Sequence, residues 1–546
     1  MLYRLSESVS AVVSLSRSLV ASALALILLW PGSSRGTPGT DRPPPPAKYW
    51  ILLAERPGPA PETSRHNAPV APTYLRELRA LGVTPIVHSR WLHAVSARLS
   101  APQRTSVRAQ PFVRGLHPVA TGASPSAGAG SAAARAAPMD GQLPLGGSAA
   151  HLSRINAVAP LARGLTGHGV RVGFLDAHFR GLRHPAFAHL RAHDRMLGLR
   201  NFAEGRQGGN HGAGVASVAV GYAPGTLIGP AHGAQVLGAS TEYTSFERNV
   251  EEDYFVAGLE WLHRRGADVV NVSIGYNTFD EGQDSYTTDD LDGDTGITTR
   301  AVDRAAQLGM TVVVSAGNSG CALPDSCWYY VNTPADADSV ITVGAVTPDS
   351  SLATFSSRGP TADGRIKPDV VVPGTKVVAA WDDGGYARVG GTSFASPQVT
   401  GIVAQMLQVN PTLSPTEVRH LLRRTASQAD RPDNRKGWGV VNADAAIRAA
   451  ERRARATPPP SMIVEPPYPA PADSQLTVPI RVPHRTSTVT LSLTTPLGEP
   501  VAQRTYPVEP GPNWLSVRLQ TVPPGLYVYR LRHRGGQHTG TIAVIP

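Results

Sequence analysis

Between about residues 152 and 449, short apolar runs alternate along the chain with segments of helical character. The runs lie at Val170–Leu175, Gln235–Ala239, Val269–Ile274, Thr311–Ser315 and Val340–Val343, with helix-like stretches such as Phe255–Arg264 and Arg300–Leu308 between them. Strands that alternate with helices pair in parallel, because each helix returns the chain to the same end of the sheet. The pattern therefore predicts a doubly wound, mostly parallel α/β domain over residues 151–450.

Composition excludes several classes of protein. Of 546 residues, 41% are hydrophobic and 17% are charged, which is enough apolar material for a buried core. The two cysteines rule out a disulfide-dense scaffold, and only one stretch, near the N-terminus, approaches the length of a membrane span. The net charge is +10, but the arginines are scattered, so we expect a solvated basic surface and no nucleic-acid partner.

The N-terminus has the pattern of an export signal. Arg4 and Arg17 precede the apolar run Leu19–Trp30, which is too short to span a bilayer. Residues 1–34 are therefore predicted to be a signal peptide; an uncleaved N-terminal anchor is the alternative. We expect an extracellular, periplasmic or cell-surface protein that is monomeric and has no stable membrane insertion after signal removal.

Smaller units flank the central domain. Residues 48–119 alternate strand and helix patterns in the order β-α-β-β-α-β, with Ser100 as a helix N-cap, which predicts an α+β unit. An Ala/Gly/Ser-rich segment at 120–150 predicts a flexible linker. A Pro-rich linker covers 451–474, and the alternating apolar and polar residues of 475–546 predict an antiparallel β-sandwich.

Three polar residues carry the candidate chemistry. Asp176 ends a buried apolar strand, His211 starts a helix of small residues, and Ser393 follows Gly390-Gly391-Thr392 at the start of an apolar helix. Taken singly, each has a structural interpretation as a turn, surface or N-cap residue. Together they match the requirement of an activated serine, because a hydroxyl nucleophile needs a base and the base needs a carboxylate.

The order Asp, His, Ser resembles the subtilisin-like serine peptidases (subtilases, the peptidase S8 family). Further segments match that family in the right order over about residues 169–449: Val272–Gly275, Ser315–Asn318, Phe355–Pro360, Lys367–Val370 and Gly437–Ala443. The resemblance implies a serine endopeptidase that acts on proteins or peptides through an acyl-enzyme intermediate.

The resemblance also implies a role for each matching residue. Ser393 is the expected nucleophile, His211 the general base and Asp176 the residue that orients it, while the Asn318 amide would stabilise the oxyanion. Ser273, Ile274 and Gly275 would line the specificity pocket and pair with substrate. The unit at 48–119 would be a propeptide that acts as an intramolecular inhibitor, with a permanent accessory domain as the alternative.

The sequence departs from the family pattern beside two of these residues. Ala177 and His178 follow Asp176, where the family has a small hydroxyl residue and glycine, and Ala213 replaces a threonine after His211-Gly212. We expect His178 to be a surface turn residue. Two other functions stay open: a catalytically idle, secreted binding protein with this fold, and an esterase or amidase that uses the same triad.

The remaining features are less specific. Cys321 and Cys327 lie near Asn318, and in an exported chain we expect them to form a disulfide, with two free thiols as the alternative. Residues 290–294 alternate aspartates around a glycine, but we favour a solvated acidic loop over a calcium site and predict no metal and no cofactor. The 475–546 unit loosely resembles C-terminal sorting domains of surface-secreted bacterial proteins, with a generic accessory sandwich as the alternative.

Overall fold

A computed structural model of the chain describes most of the sequence after residue 46. The described residues are 47–54, 69–119, 144–203, 209–243, 247–280, 283–321, 328–381, 384–456, 462–472, 474–482, 488–508, 511–533 and 536–545. The predicted signal peptide at 1–34 lies outside the described residues, as do residues 120–143 of the predicted linker.

The N-terminal unit is a four-stranded antiparallel sheet with two helices. Its elements are β1 (Ala47–Leu53), α1 (Pro72–Ala80), β2 (Pro85–Ser89), β3 (Ala94–Leu99), α2 (Ala101–Arg108) and β4 (Val113–Val119), with strand order β2-β3-β1-β4. Ser100 caps α2 through a capping box with Gln103, because each side chain accepts the other's backbone N–H. The predicted element order is confirmed.

The central domain begins with two short helices and contains the predicted alternation. Its elements are α3 (Ala149–Arg154), α4 (Val158–Ala162), β5 (Arg171–Asp176), α5 (Ala188–Ala192), β6 (Met196–Asn201), α6 (His211–Val220), β7 (Tyr222–Ala223), β8 (Leu227–Ile228), β9 (Gln235–Ser240), α7 (Val250–Arg264), β10 (Val269–Val272), α8 (Ile297–Gln307), β11 (Thr311–Ser315), β12 (Ile341–Val346), β13 (Val370–Pro373), β14 (Val377–Trp381), β15 (Gly385–Val389), α9 (Thr392–Val409), α10 (Pro415–Thr425) and α11 (Ala443–Ala456).

The main sheet has seven parallel strands in the order β13-β12-β11-β10-β5-β9-β6. From β5 the chain builds one side of the sheet through β6 and β9, and it then crosses to build the other side from β10. In such open sheets, ligands bind where the strand order reverses, at the carboxyl ends of the strands. The doubly wound α/β prediction is confirmed, and the ends of β5 and β10 mark the expected position of the site.

Helices cover both faces of this sheet, because its strands are apolar on both faces. Successive residues of β10 show the division: Val269 belongs to the apolar cluster that contains residues of α6, α9, α10 and α11, whereas Val270 belongs to the cluster that contains residues of α7 and α8. Both valines are fully buried. Within the described part of the chain, no helix has the length and hydropathy needed to cross a membrane.

The C-terminal unit is formed by two antiparallel sheets. Its strands are β16 (Ile463–Val464), β17 (Gln475–Val482), β18 (Thr488–Thr494), β19 (Pro500–Pro507), β20 (Gly511–Arg518), β21 (Gly525–His533) and β22 (Gly536–Val544), ordered β16-β17-β20 and β19-β18-β21-β22. Alternate residues such as Val489, Leu491 and Leu493 of β18 are buried in a core of their own. The predicted antiparallel C-terminal unit is confirmed.

The C-terminal sandwich contacts the central domain at the amino ends of β5 and β10. The Arg171 guanidinium lies 3.3 Å above the centre of the Trp514 ring. That ring lies against Gly266, where a Cβ atom would be 1.3 Å from it and where φ is +75°, so this position requires glycine. Arg481 adds an ion pair of 2.8 Å with Asp268, whose side chain is only 2% exposed.

These contacts predict that the sandwich stabilises the central domain. Replacement of Trp514 by alanine removes the ring that packs on Gly266 and Arg171, so we expect Trp514→Ala to lower the stability of the full chain by about 3 kcal/mol or more. Thermal unfolding of the full chain measures this loss. Leu526→Ala is the matched control, since Leu526 is 57% exposed, and equal unfolding temperatures for both variants would contradict the prediction.

Candidate active site

Asp176 is the last residue of β5, and its carboxylate is fully buried. The pairing of β5 with β10 places Leu175 beside Val272, so Asp176 and Ser273 leave the sheet at the same level. Asp176 Oδ1 accepts the backbone N–H of Ala177 at 2.7 Å. Residue 177 is alanine, where the family commonly has a hydroxyl residue, and the Oδ2 atom of Asp176 is buried without a hydrogen-bond partner among the described residues.

His211 is the first residue of α6, and its Nδ1 atom lies 2.6 Å from Asp176 Oδ1. Because an ionised carboxylate only accepts hydrogen bonds, Nδ1 carries the proton and Nε2 is the free basic nitrogen. Burial disfavours the imidazolium, but the charge of Asp176 and this hydrogen bond together outweigh burial. The pKa of His211 is therefore raised above its usual value of 6.5.

Ser393 is the second residue of α9, directly after a turn at Gly391, where φ is +141°. Only glycine adopts this φ readily, so the residue fixes the path of the chain into the helix. The Ser393 side chain is 8% exposed, and its hydroxyl donates to the Ser273 carbonyl oxygen at 3.2 Å. The ring of Phe394, the next residue, lies 5.6 Å from that of His211, so the start of α9 packs beside the start of α6.

Asn318 lies in the loop after β11. Its Oδ1 atom accepts the Thr392 backbone N–H at 2.9 Å and the Thr392 hydroxyl at 3.0 Å. Since both donors act on the oxygen, the side chain is fixed with its Nδ2 group available to a bound molecule. The loop is thereby tied to the first residue of the helix that carries Ser393.

A cleft of about 410 Å³ contains Ser393 and Asn318. It is also lined by Ala177, Glu242, Tyr243, Glu247, Ser273, Ile274, Gly275, Ser315, Gly317, Ser319, Asn332 and Thr392. The structure therefore brings the three predicted substrate-binding residues, Ser273 to Gly275, to the same cavity as the serine and the asparagine.

Two residues that line this cleft, Glu242 and Glu247, belong to a group of three carboxyl groups. Glu242, Glu247 and Glu251 each have an oxygen within 4.8 Å of the others' oxygens. Burial raises the pKa of Glu247 to about 7 and that of Glu251 to about 8, and it also raises the pKa of Glu242. Glu242 accepts a 2.6 Å hydrogen bond from the Tyr276 hydroxyl. No sequence pattern singled out Glu247, because residue 247 lies in an irregular segment.

The other sequence predictions have mixed outcomes. His178 is only 2% exposed, so the expectation of a surface residue is wrong; the turn after Asp176 folds inward beneath Gly212. Asp292 accepts the backbone N–H groups of Asp294 and Thr295, so it serves as a turn cap in the 290–294 loop. The prediction that this loop holds no calcium stays untested.

The structure tests the predicted disulfide only in part. Cys321 is disulfide-bonded, in the segment just after Asn318 and Gly320. Cys327 lies outside the described residues, so its pairing with Cys321 stays a prediction.

Models of two protein families match parts of the chain. The model of the Subtilase family (Peptidase S8) matches residues 168–439, and that of the Peptidase S8 propeptide domain, Bacteroidota, matches residues 60–131. Among solved structures, the self-cleaved protease domain of PatA is 27% identical, with a TM-score of 0.41, over 52% of this chain and 97% of that one.

Two curated relatives match this chain over most of their own length. Serine protease AprX of Bacillus subtilis is 30% identical over 55% of this chain and 71% of that protein. Subtilisin DY of Bacillus licheniformis is 31% identical over 53% of this chain and 94% of that protein. The chain therefore belongs to the subtilase family of serine-type endopeptidases and carries an N-terminal propeptide domain of that family.

Proposed function

We propose that the chain is an exported endopeptidase precursor that hydrolyses peptide bonds with the triad Asp176, His211 and Ser393. The observation that carries this proposal is the 2.6 Å contact between His211 and a fully buried Asp176, beside a cleft that contains Ser393. A buried carboxylate that fixes the tautomer of a raised-pKa imidazole is the arrangement that activates a serine.

In the first step, the Ser393 hydroxyl turns from the Ser273 carbonyl toward His211 Nε2. The oxygen attacks the substrate carbonyl carbon while Nε2 takes the proton, and Asp176 stabilises the resulting imidazolium. The tetrahedral oxyanion accepts hydrogen bonds from the Asn318 Nδ2 group and the Ser393 backbone N–H. That N–H is unused within the helix, because Ser393 is the second residue of α9.

In the second step, the imidazolium gives its proton to the departing amine as the peptide C–N bond breaks. Water then attacks the acyl-enzyme, with His211 again as the base, and releases the acid product and the free Ser393 hydroxyl. The Ser273–Gly275 segment leaves the end of β10 beside Ser393, which is the position for backbone pairing with the acyl part of the substrate.

We propose that the N-terminal unit inhibits the enzyme before maturation, because it binds one helix of the central domain through buried polar contacts. Lys48 of β1 forms an ion pair with Asp253 of α7, and both side chains are almost fully buried. At the end of β2, Ser89 Oγ and the N–H of Arg90 donate to Glu260 Oε1 at 2.7 and 3.0 Å. Buried partners of this kind require a specific geometry.

Export is the remaining part of the proposal. The predicted signal peptide supports it, and so does the disulfide-bonded Cys321, since disulfides persist in oxidising compartments. Removal of the signal and of the propeptide would then yield the mature enzyme. The central domain and the C-terminal sandwich stay together in that form through their contacts at Gly266 and Asp268.

The nucleophile is tested with a fluorophosphonate that labels activated serines. We expect the protein to be labelled and to cleave peptides, and we expect Ser393→Ala to abolish both properties, because no other hydroxyl carries the attack. Ser396→Ala is the control, since Ser396 lies one helical turn after Ser393 and its hydroxyl contacts Ser273 Oγ at 3.0 Å. Cleavage of esters without cleavage of peptides would favour the esterase alternative, and a protein with neither activity would favour the idle binding protein.

The general base is tested by the pH dependence of kcat/KM. The base must be neutral, and the pKa of His211 is raised, so we expect the rate to rise with pH and to reach half its maximum above pH 6.5. Asp176→Asn removes the charge that raises this pKa, so the half-maximum moves to lower pH and the rate falls by about 10⁴-fold, a magnitude known from related triads. Asp349→Asn, in an exposed turn, is the control; an unmoved profile in Asp176→Asn would refute the assignment.

The propeptide interface is tested in the Ser393→Ala chain with a specific cleavage site inserted between residues 120 and 143. After the cut, we expect the N-terminal fragment to stay bound in size-exclusion chromatography. Lys48→Met leaves the Asp253 charge buried and unpaired, at a cost of about 3–5 kcal/mol, so that fragment should dissociate. Lys376→Met, which changes an exposed lysine elsewhere, should leave it bound. Release from the unmodified chain would show that the unit is no inhibitor.

A further inference from the structure

Helix α9 contains a proline, Pro397, four residues after Ser393. In a regular helix the N–H of residue 397 would donate to the carbonyl of residue 393. Proline has no N–H, and its ring crowds that same carbonyl. The sequence therefore deprives the Ser393 carbonyl, which belongs to the proposed nucleophile, of its normal partner within the helix.

The Ser273 side chain supplies the missing donor. Its hydroxyl donates to the Ser393 carbonyl oxygen at 2.9 Å, while the Ser273 carbonyl accepts the Ser393 hydroxyl at 3.2 Å. Ser273 is 4% exposed and Ser393 8% exposed, so water has little access to either group. A buried carbonyl oxygen without a hydrogen-bond donor destabilises the folded protein, so this contact contributes to stability.

Asn271 fixes the direction of the Ser273 hydroxyl. Asn271 lies in β10, and Ser273 comes two residues later in the chain, so their side chains lie on the same face of the strand. Asn271 Nδ2 donates to Ser273 Oγ at 2.8 Å, and Asn271 Oδ1 accepts the Thr400 hydroxyl of α9 at 3.0 Å. The Ser273 hydroxyl has a single proton, and the Ser393 carbonyl can only accept, whereas Asn271 donates to Ser273 Oγ and the Ser396 hydroxyl can do the same; the Ser273 proton therefore goes to the Ser393 carbonyl.

We propose that Ser273 and Asn271 are positioning residues that hold the backbone of Ser393 in place of the helix hydrogen bond excluded by Pro397. This inference rests on the proposed function, in which the Ser393 backbone bears the nucleophile and contributes an oxyanion donor. Small displacements of reacting groups lower the rate strongly, so an anchor on this backbone acts on kcat. The role is separate from the contact of the Ser273–Gly275 backbone with substrate, because it uses the Ser273 side chain.

A double-mutant cycle tests the proposal. Ser273→Ala keeps the backbone of the cleft and removes only the donor, so we expect kcat to fall roughly three- to tenfold with little change in KM, the range for one hydrogen bond. Pro397→Ala restores an N–H at residue 397. In that background we expect Ser273→Ala to lower kcat by less than about twofold, because the helix again satisfies the Ser393 carbonyl.

Ser396→Ala is the matched control. The Ser396 hydroxyl lies 3.0 Å from Ser273 Oγ in the same buried cluster, but it is not the donor to the Ser393 carbonyl. We expect Ser396→Ala to lower kcat less than Ser273→Ala does, and to lower it by the same factor whether residue 397 is proline or alanine. The proposal is overturned if Ser273→Ala costs the same factor in both backgrounds, or if Ser396→Ala reproduces the dependence.

A second readout separates this proposal from the proposed function. Thermal unfolding of the same variants in the Ser393→Ala chain requires no activity, and the midpoint lost in Ser273→Ala should be smaller in the Pro397→Ala background. If the two substitutions lower the unfolding midpoint additively, the proposed anchoring role is overturned without any measurement of activity. If Ser393→Ala retains full peptidase activity, the triad assignment fails, whereas coupling in the unfolding cycle would still support the hydrogen bond that replaces the helix donor.

Discussion

The pairing of β5 with β10 is the constraint on which the cleft depends. Strand β9, on the other side of β5, begins a different half of the sheet, so the reversal of strand order lies between β5 and β10. The parallel register brings Asp176 and Ser273 out at one level, and α9 then packs across the adjoining strands. A slip of this register by one residue would invert the faces of β10, so that Asn271 and Ser273 would no longer face α9.

Helix α7 has a second structural role, because both flanking units contact it or its end. Asp253 and Glu260 are two turns apart on one face and bind the N-terminal unit. At the carboxyl end of the helix, the Arg264 carbonyl accepts a hydrogen bond from Tyr468, and the turn at Gly266 packs on Trp514. The two flanking units therefore converge on one helix, next to the β5–β10 pair.

Much of the fold followed from local patterns, and some of it did not. The apolar runs predicted β5, β9, β10, β11 and β12, since strands buried on both faces are continuously apolar. Strand β13 was missed because only four residues follow Lys367-Pro368-Asp369, and β6 because half of its residues are exposed. The Asp176, His211 and Ser393 positions came from the family resemblance together with the chemistry of serine activation. By contrast, the burial of His178 and the partners of Glu260 depend on residues far away in sequence. A local hydrophobic pattern carries no information about such contacts.

The buried pair of Lys48 and Asp253 has an energetic consequence for maturation. Two ions withdrawn from water recover only part of their hydration energy from mutual attraction, so such a pair confers orientation more than net adhesion. When the N-terminal unit departs, both groups regain their hydration shells, and that rehydration offsets much of the lost contact. In the proposed maturation, the N-terminal unit is thus held in a unique orientation and yet departs at modest thermodynamic cost.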